Sequence, residues 1–159
     1  MLTINQAVEN FILPSTNSEE FSLANYIGKN VIIYFYPKDD TPGCTVEGQD
    51  FRDHWHLFTE MNCIIVGISR DSIKSHEAFK AKMQFPFELL SDIDEKICDL
   101  FGVMKLKNMY GNQVRGIERS TFVIDSHGLL RKEWRGVKVP GHVQEVLDYI
   151  KTVSNNSHK

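Results

Sequence analysis

The sequence has few cysteines, no long apolar run and no excess of basic residues. Its 159 residues include only three cysteines, an odd number at wide spacings, which excludes a disulfide framework and favours a reducing compartment. No segment approaches the ~20 apolar residues that span a bilayer, and residues 1–6 lack the charged start of a signal peptide. The net charge of −3 comes from interspersed charges, so we expect no nucleic-acid partner and no membrane partner. These absences predict a cytoplasmic protein.

The length and composition predict one domain. A hydrophobic content of 42% is sufficient for a packed core at this size. We expect residues 1–159 to form a single domain with a core at about 5–153 and a frayed polar tail at 154–159.

Two apolar, β-branched runs predict strands at the centre of a sheet. Val31–Tyr36 and Cys63–Ser69 are apolar on both faces, as in strands that are covered on both sides. Between them, aromatic residues at spacings of four and three predict one helix from Thr45, with Phe51, Trp55 and Phe58 along one stripe. A strand, helix, strand order predicts a parallel βαβ unit.

The rest of the chain predicts further elements of a mixed fold. They are a hairpin within 10–22, a surface helix at 72–83, a strand at 87–90, a hairpin at 121–134 and an amphipathic helix at 143–153. Asp92 followed by Glu95 resembles a capping box and predicts a helix at 93–101 that Gly102 ends. Together these elements predict an α/β fold of the thioredoxin kind, with a central mixed sheet flanked by helices.

Cys44 lies where the first central strand passes into a helix. The loop 37–44 directly follows that strand and directly precedes the helical pattern. The start of a helix offers unpaired backbone N–H groups and the positive end of the helix dipole, and both favour a thiolate over a thiol. We therefore predict that Cys44 is an activated nucleophile.

The residues around Cys44 resemble the active-site loop of peroxiredoxins. Pro37-x-x-x-Thr41-x-x-Cys44 matches the family's P-x-x-x-T-x-x-C pattern, and residues 35–47 resemble the bacterioferritin-comigratory (PrxQ) branch. The resemblance implies a thioredoxin-like fold of the peroxiredoxin type. It also implies that a cysteine thiolate reduces hydrogen peroxide and organic hydroperoxides and becomes a sulfenic acid, without metal, flavin, haem or another cofactor.

The same resemblance implies roles for the residues of the loop. Cys44 is the peroxidatic nucleophile, and Thr41 binds the peroxide through its hydroxyl group. Backbone N–H groups near Gly43 and Cys44 also bind the peroxide, and Pro37 shields the thiolate.

Two charged residues complete the site that the resemblance implies. Arg119 lies in residues 116–125, which are similar to the family's G-x-x-R-x-T-F-x-I-D. Its fixed charge is expected to keep Cys44 ionised and to polarise the peroxide. Glu47 resembles the acid of the family's C-T-x-E pattern and is expected to orient Arg119.

The resolving cysteine of many PrxQ-like proteins is missing. Gln49 and Lys80 occupy the two positions where that cysteine is usually found. We therefore predict a one-cysteine cycle in which thioredoxin or another thiol donor recycles the sulfenic acid. Cys98, expected to be partly exposed on its helix, is the internal alternative and would give an atypical two-cysteine cycle. Cys63 opens an apolar strand and is expected to be a core residue.

Two other functions would use a reactive cysteine, and a metal site would use histidines. A thiol–disulfide oxidoreductase normally needs Cys-x-x-Cys, and the third residue after Cys44 is Glu47. A redox sensor or holdase would share the reactive cysteine but would not turn over peroxide. His54 and His56 do not indicate a metal site, because helix residues two apart point about 200° away from each other. We expect a monomer or a weak homodimer.

Overall fold

A seven-stranded mixed sheet organises the part of the chain that the structure, a computed structural model, describes, which is residues 2–157. The strands are β1 (Ile12–Ser15), β2 (Glu19–Ser22), β3 (Asn30–Phe35), β4 (Cys63–Ser69), β5 (Glu88–Ser91), β6 (Met104–Met109), β7 (Asn112–Ile117), β8 (Ser120–Ile124) and β9 (Leu130–Arg135). The helices are α1 (Pro42–Asp53), α2 (Trp55–Glu60), α3 (Ile73–Met83), α4 (Lys96–Leu100) and α5 (His142–Ser157), and a 3-10 turn covers Leu23–Tyr26. The strand order is β2-β1-β5-β4-β3-β8-β9, and β6 and β7 form a separate ribbon.

Strand β3 lies in the interior of the sheet, as its apolar run predicted. It pairs in parallel with β4 and antiparallel with β8, which confirms the βαβ unit. Successive side chains of a strand point to opposite faces, and here Val31, Ile33 and Phe35 enter one core cluster while Ile32 and Tyr34 enter the other. The sheet therefore separates two hydrophobic cores, and the central α/β architecture agrees with the predicted fold class.

Helix α1 begins earlier and ends earlier than the sequence pattern predicted. Its N-cap is Thr41, whose carbonyl accepts the first helical hydrogen bond, and Pro42 takes the first position, where its missing N–H costs nothing. Cys44 is thus already in the first turn. The single helix predicted for the aromatic stripe is broken at His54, which separates α1 from α2.

The predicted capping box at Asp92 is wrong. Glu95 has a φ of 63° and directly precedes α4, which is only five residues long. Asp92 Oδ2 instead accepts hydrogen bonds from the N–H groups of Ile97, at 3.1 Å, and Cys98, at 2.7 Å. Cys98 points into the core together with Ile97 and Phe101 and is 0% exposed, which corrects the expectation of a partly exposed thiol. Gly102 follows the helix with a φ of 67°, as predicted.

The structure differs from the sequence-based prediction at two further places, both in the second half of the chain. The ribbon of β6 and β7 was not predicted from the sequence. Helix α5 runs to Ser157, beyond the predicted end at residue 153, and the last two residues of the predicted tail, 158 and 159, lie outside the described residues. Among the described residues, no helix has the length and apolar character needed to cross a membrane.

Candidate active site

The loop between β3 and α1 brings the predicted Cys44 site residues to one end of the sheet. Cys44 is the third residue of α1, where backbone N–H groups have no intrahelical partner. The residue is only 2% exposed. Thr41 is half-buried, and its hydroxyl donates to the carbonyl of Lys38 at 2.8 Å. This bond leaves the lone pairs of the Thr41 oxygen available to accept a hydrogen bond from a bound molecule. Pro37, also half-buried, begins the loop.

Arg119 reaches this loop from the neighbouring strand. It directly precedes β8, whose first residue pairs with Phe35 at the end of β3. Its Nη2 lies 3.4 Å from the Sγ of Cys44, and its Nη1 donates to Glu47 Oε1 at 2.8 Å. A Cβ added at Gly43 would lie 3.1 Å from that Nη2, so the absence of a side chain there lets the guanidinium approach the sulfur.

Glu47 is an acid buried behind the cation. Its side chain is 0% exposed, and burial raises its pKa from 4.5 to about 7, against the lowering effect of Arg119. Burial also disfavours the charge on Arg119, but the negative charges of Glu47 and Cys44 raise the pKa of that guanidinium above its usual value. The cation beside the sulfur is therefore permanent, and its Nη1 is in contact with the Glu47 carboxyl group.

Two polar atoms near Cys44 have no hydrogen-bond partner within the described residues. They are Oε2 of Glu47 and the hydroxyl of Tyr34. Burial first, and then the charges of Glu47 and Cys44, raise the pKa of Tyr34. Its ring stacks on Phe51 with centroids 4.7 Å apart. Tyr34 is thus a neutral phenol in the wall behind the Cys44 loop. The sequence placed it in an apolar strand but gave no sign that it lies next to this site.

A buried polar network around Asp39 was also missed by the sequence analysis. The Asp39 carboxylate accepts hydrogen bonds from the Tyr36 hydroxyl at 2.6 Å and the Ser75 hydroxyl at 2.8 Å, and it contacts His76 Nδ1 at 2.7 Å. Its own N–H donates to Asp71 Oδ2 at 2.9 Å. Among the described residues, Asp39, Asp71 and His76 form the one group of three or more whose candidate metal-ligating atoms lie within 4.8 Å of one another. These atoms are already engaged with one another and with hydroxyl groups.

The other two cysteines are not part of this site. Cys98 belongs to the core on the opposite face of the sheet from Cys44, and burial raises the pKa of its thiol well above the usual range. Cys63 shares the core of Cys44 but begins β4, opposite Asn30 at the start of β3. Burial raises the pKa of Cys63 to about 12. Cys63 is a core residue, as predicted, and the structure does not bring Cys98 to the reactive loop.

Comparison with known proteins gives consistent matches over nearly the whole chain. The AhpC/TSA family matches residues 4–133. The putative peroxiredoxin bcp of Coxiella burnetii is 48% identical over 146 residues, which are 92% of this chain and 97% of that protein. The peroxiredoxin Bcp of Bacillus subtilis is 46% identical over 153 residues, 96% of this chain and 98% of that protein.

Solved structures of similar proteins share the fold. The bacterioferritin comigratory protein of Xanthomonas campestris, studied for alkyl peroxide reduction, superposes with a TM-score of 0.87 at 46% identity, covering 91% of this chain and 92% of that one. A cysteine-to-serine mutant of Xylella fastidiosa PrxQ gives a TM-score of 0.93 at 41% identity, with 97% and 98% covered.

Proposed function

The chain belongs to the AhpC/TSA family and is a peroxiredoxin, a thiol-dependent peroxidase of the Bcp/PrxQ kind, and we propose that Cys44 is the residue that attacks the peroxide. The observation that carries this proposal is the 3.4 Å contact between Arg119 Nη2 and the Cys44 sulfur. A permanent cation at that distance favours the thiolate, and the first turn of α1 adds the positive end of a helix dipole.

The proposed reaction transfers one oxygen atom to the sulfur. The Cys44 thiolate attacks the terminal oxygen of the hydroperoxide, the O–O bond breaks, and the sulfur becomes a sulfenic acid. The departing alkoxide, or hydroxide from hydrogen peroxide, takes a proton from water and leaves as an alcohol or as water. The sulfur gives up one electron pair, which the departing oxygen receives.

A thiolate alone does not account for fast attack, because nucleophilicity falls together with the basicity of the sulfur. The site must also stabilise the negative charge that develops on the departing oxygen. Arg119, the Thr41 hydroxyl and the N–H groups at Gly43 and Cys44 are the groups that we propose for this task. Their common location in one loop and at the adjacent strand start supports the assignment.

We further propose that an external thiol, thioredoxin or another donor, recycles the sulfenic acid. The donor thiolate forms a mixed disulfide with Cys44 and water leaves; a second donor thiol then releases Cys44 as a thiol and departs as a disulfide. The location of the other cysteines supports this one-cysteine cycle. Cys98 lies under the opposite face of the sheet, and Cys63 is separated from the reactive end by the length of six-residue β3, roughly 20 Å.

Three serine variants test the proposal. Cys44→Ser removes the thiolate, so it should abolish peroxide consumption while the circular dichroism spectrum stays unchanged. Cys63→Ser and Cys98→Ser are matched controls, because each replaces a cysteine sulfur by oxygen outside the Cys44 loop. Each should retain most turnover with a thiol donor. Peroxide consumption that survives Cys44→Ser would refute the assignment. Loss of turnover in folded Cys98→Ser would instead support the two-cysteine cycle.

A further inference from the structure

We propose that Asp39 and His76 are positioning residues for the peroxidase reaction, and we call their buried contact the Asp39–His76 pair. While the pair is intact, it holds the loop 37–41 so that Thr41 is directed at the peroxide. When the pair opens, Cys44 becomes accessible to the thiol donor. This inference rests on the proposed role of Cys44 and adds a control of the two half-reactions beyond the roles already proposed for Thr41, Cys44 and Arg119.

Asp39 is the most strongly anchored residue of the loop. It is 7% exposed, and its carboxylate contacts three side chains at 2.6 to 2.8 Å, two of which, Ser75 and His76, belong to α3. A buried carboxylate requires such partners, since an unpaired charge or acceptor away from water is strongly unfavourable. The loop is therefore fastened to a helix that lies more than thirty residues further along the chain.

His76 fastens the same contact to the central sheet. Its side chain is 0% exposed, and its Nε2 lies 2.9 Å from the carbonyl oxygen of Leu90 in β5. A carbonyl only accepts hydrogen bonds, so Nε2 carries a proton and donates it. The other ring nitrogen, Nδ1, is then the atom that contacts Asp39 Oδ2, with one proton shared between the two atoms. His76 thus links the reactive loop, α3 and β5 through one ring.

Asp39 directly follows Lys38, whose carbonyl oxygen orients the hydroxyl group of Thr41. The Thr41 hydroxyl donates to the carbonyl of Lys38 at 2.8 Å, and that carbonyl belongs to the peptide unit that joins Lys38 to Asp39. The Asp39 N–H of the same peptide unit donates to Asp71 Oδ2. Because a peptide unit is planar, fixing Asp39 also fixes the direction of the Lys38 carbonyl. The Thr41 hydroxyl is therefore held in one orientation, with its lone pairs directed at the peroxide.

The same anchoring limits access to the sulfur. Cys44 is 2% exposed, so a thiol donor cannot reach its sulfenic acid until the segment opens locally. Opening the loop away from α3 requires the contacts of a buried carboxylate to break. The Asp39–His76 pair therefore favours the peroxide step and restrains the thiol step, and weakening it is expected to change the two rates in opposite directions.

The test compares variants of the pair with a neighbour on the same helix. His76→Leu removes the Asp39 contact, whereas His76→Asn keeps a donor near the Nδ1 position. Lys74→Gln, an exposed change on α3, is the matched control. We measure alkylation rates of the three cysteines, the rate of Cys44 oxidation by hydrogen peroxide, and the rate at which dithiothreitol reduces the sulfenic acid.

We expect His76→Leu to raise the alkylation of Cys44 by about tenfold or more, the effect of losing a hydrogen bond to a charged group. Cys63 and Cys98 should remain as slow as before, because their reaction reports global unfolding. Peroxide oxidation should slow and dithiothreitol reduction should accelerate. His76→Asn should lie between His76→Leu and the parent protein, and Lys74→Gln should match the parent.

Two outcomes overturn the inference. One is unchanged Cys44 alkylation in folded His76→Leu, and the other is a fall of both half-reaction rates. If His76→Leu exposes all three cysteines together, Ser75→Ala decides, since it removes one donor to Asp39 from a half-buried position. A selective rise at Cys44 then supports the pair, and no selective rise overturns it. Failure of Cys44 as the nucleophile is separate, because it appears as peroxide consumption by Cys44→Ser.

Discussion

The guanidinium of Arg119 lies 3.4 Å from the sulfur of Cys44, although 75 positions separate the two residues in the sequence. The antiparallel pairing of β3 with β8 produces this contact, because it aligns the end of one strand with the start of the other. The same guanidinium is held by the buried Glu47. One cation can therefore favour the thiolate and stabilise the charge that develops on a departing peroxide oxygen.

Replacing Arg119 tests that electrostatic role. Arg119→Met should lower the fraction of Cys44 that is ionised at neutral pH and slow sulfenic acid formation, because it removes the fixed charge beside the sulfur. Arg119→Lys keeps the charge but loses the planar double contact, so it should have an intermediate rate. Ultraviolet titration of the thiolate and stopped-flow oxidation measure the two effects. A thiolate titration identical to that of the parent protein would contradict the role assigned to Arg119.

Glu47 should make stability depend on pH. Its pKa rises from 4.5 to about 7 in the folded protein because of burial, so within that window the folded chain holds a proton that the unfolded chain releases. The contribution to the free energy of unfolding is complete below pH 4.5 and is lost as the pH rises through about 7. Glu47→Gln has no such proton, so its stability relative to the parent should increase across this window. Urea unfolding at several pH values measures the difference in the free energy of unfolding between Glu47→Gln and the parent protein. A difference that stays constant with pH would argue against a raised pKa for Glu47.

His142 should make stability depend on pH in the opposite direction to Glu47. Its Nε2 lies 2.7 Å from the hydroxyl of Thr121, and burial, with a smaller effect of Arg119, lowers its pKa from 6.5 to about 4. Between these values the unfolded chain binds the extra proton, so this contribution to stability is lost as the pH falls. His142→Gln should therefore gain stability relative to the parent as the pH is lowered from 6.5 to 4. The same urea series tests this, with exposed His127→Gln as the control.

Gly48 is required by packing rather than by backbone conformation. A Cβ at this position of α1 would lie 2.3 Å from the ring of Phe85, which itself stacks on Phe87. Overpacking of this kind costs about 1–3 kcal/mol, which is expected to exceed the gain of about 1 kcal/mol from alanine in a helix. Gly48→Ala should thus lower the melting temperature, while Gly116→Ala, where nothing lies within 4 Å, should have little effect. A more stable Gly48→Ala would contradict this packing.

The central strands and the Cys44 loop were predictable because their signals are local. The runs at β3 and β4 are apolar on both faces, and the loop motif lies within a few residues of sequence. The ribbon of β6 and β7 gave only a weak signal, since apolar and polar residues alternate over residues 104–107 alone and most of its side chains are exposed. Gly111 was a second indication, since the turn between the two strands has positive φ at Tyr110 and Gly111.

Other features depend on contacts that no local pattern encodes. Asp39 meets His76 from 37 positions away, so neither residue could be assigned to a network from spacing alone. The capping box at Asp92 had suitable residue types, but Glu95 has a left-handed conformation and the helix begins only after it. The burial of Cys98 depends on which side of this short helix the core covers, and that side is set by tertiary packing.

The one-cysteine cycle at Cys44 is tested most directly by the state of the three cysteines after one equivalent of hydrogen peroxide. Peptide mapping by mass spectrometry, with dimedone to trap sulfenic acid and an alkylating agent added after denaturation, reports all three at once. A one-cysteine cycle at Cys44 gives dimedone on Cys44 in a monomeric chain, with Cys63 and Cys98 both alkylated. A disulfide between Cys44 and Cys98, or a dimedone adduct on another cysteine while Cys44 stays reduced, would contradict it.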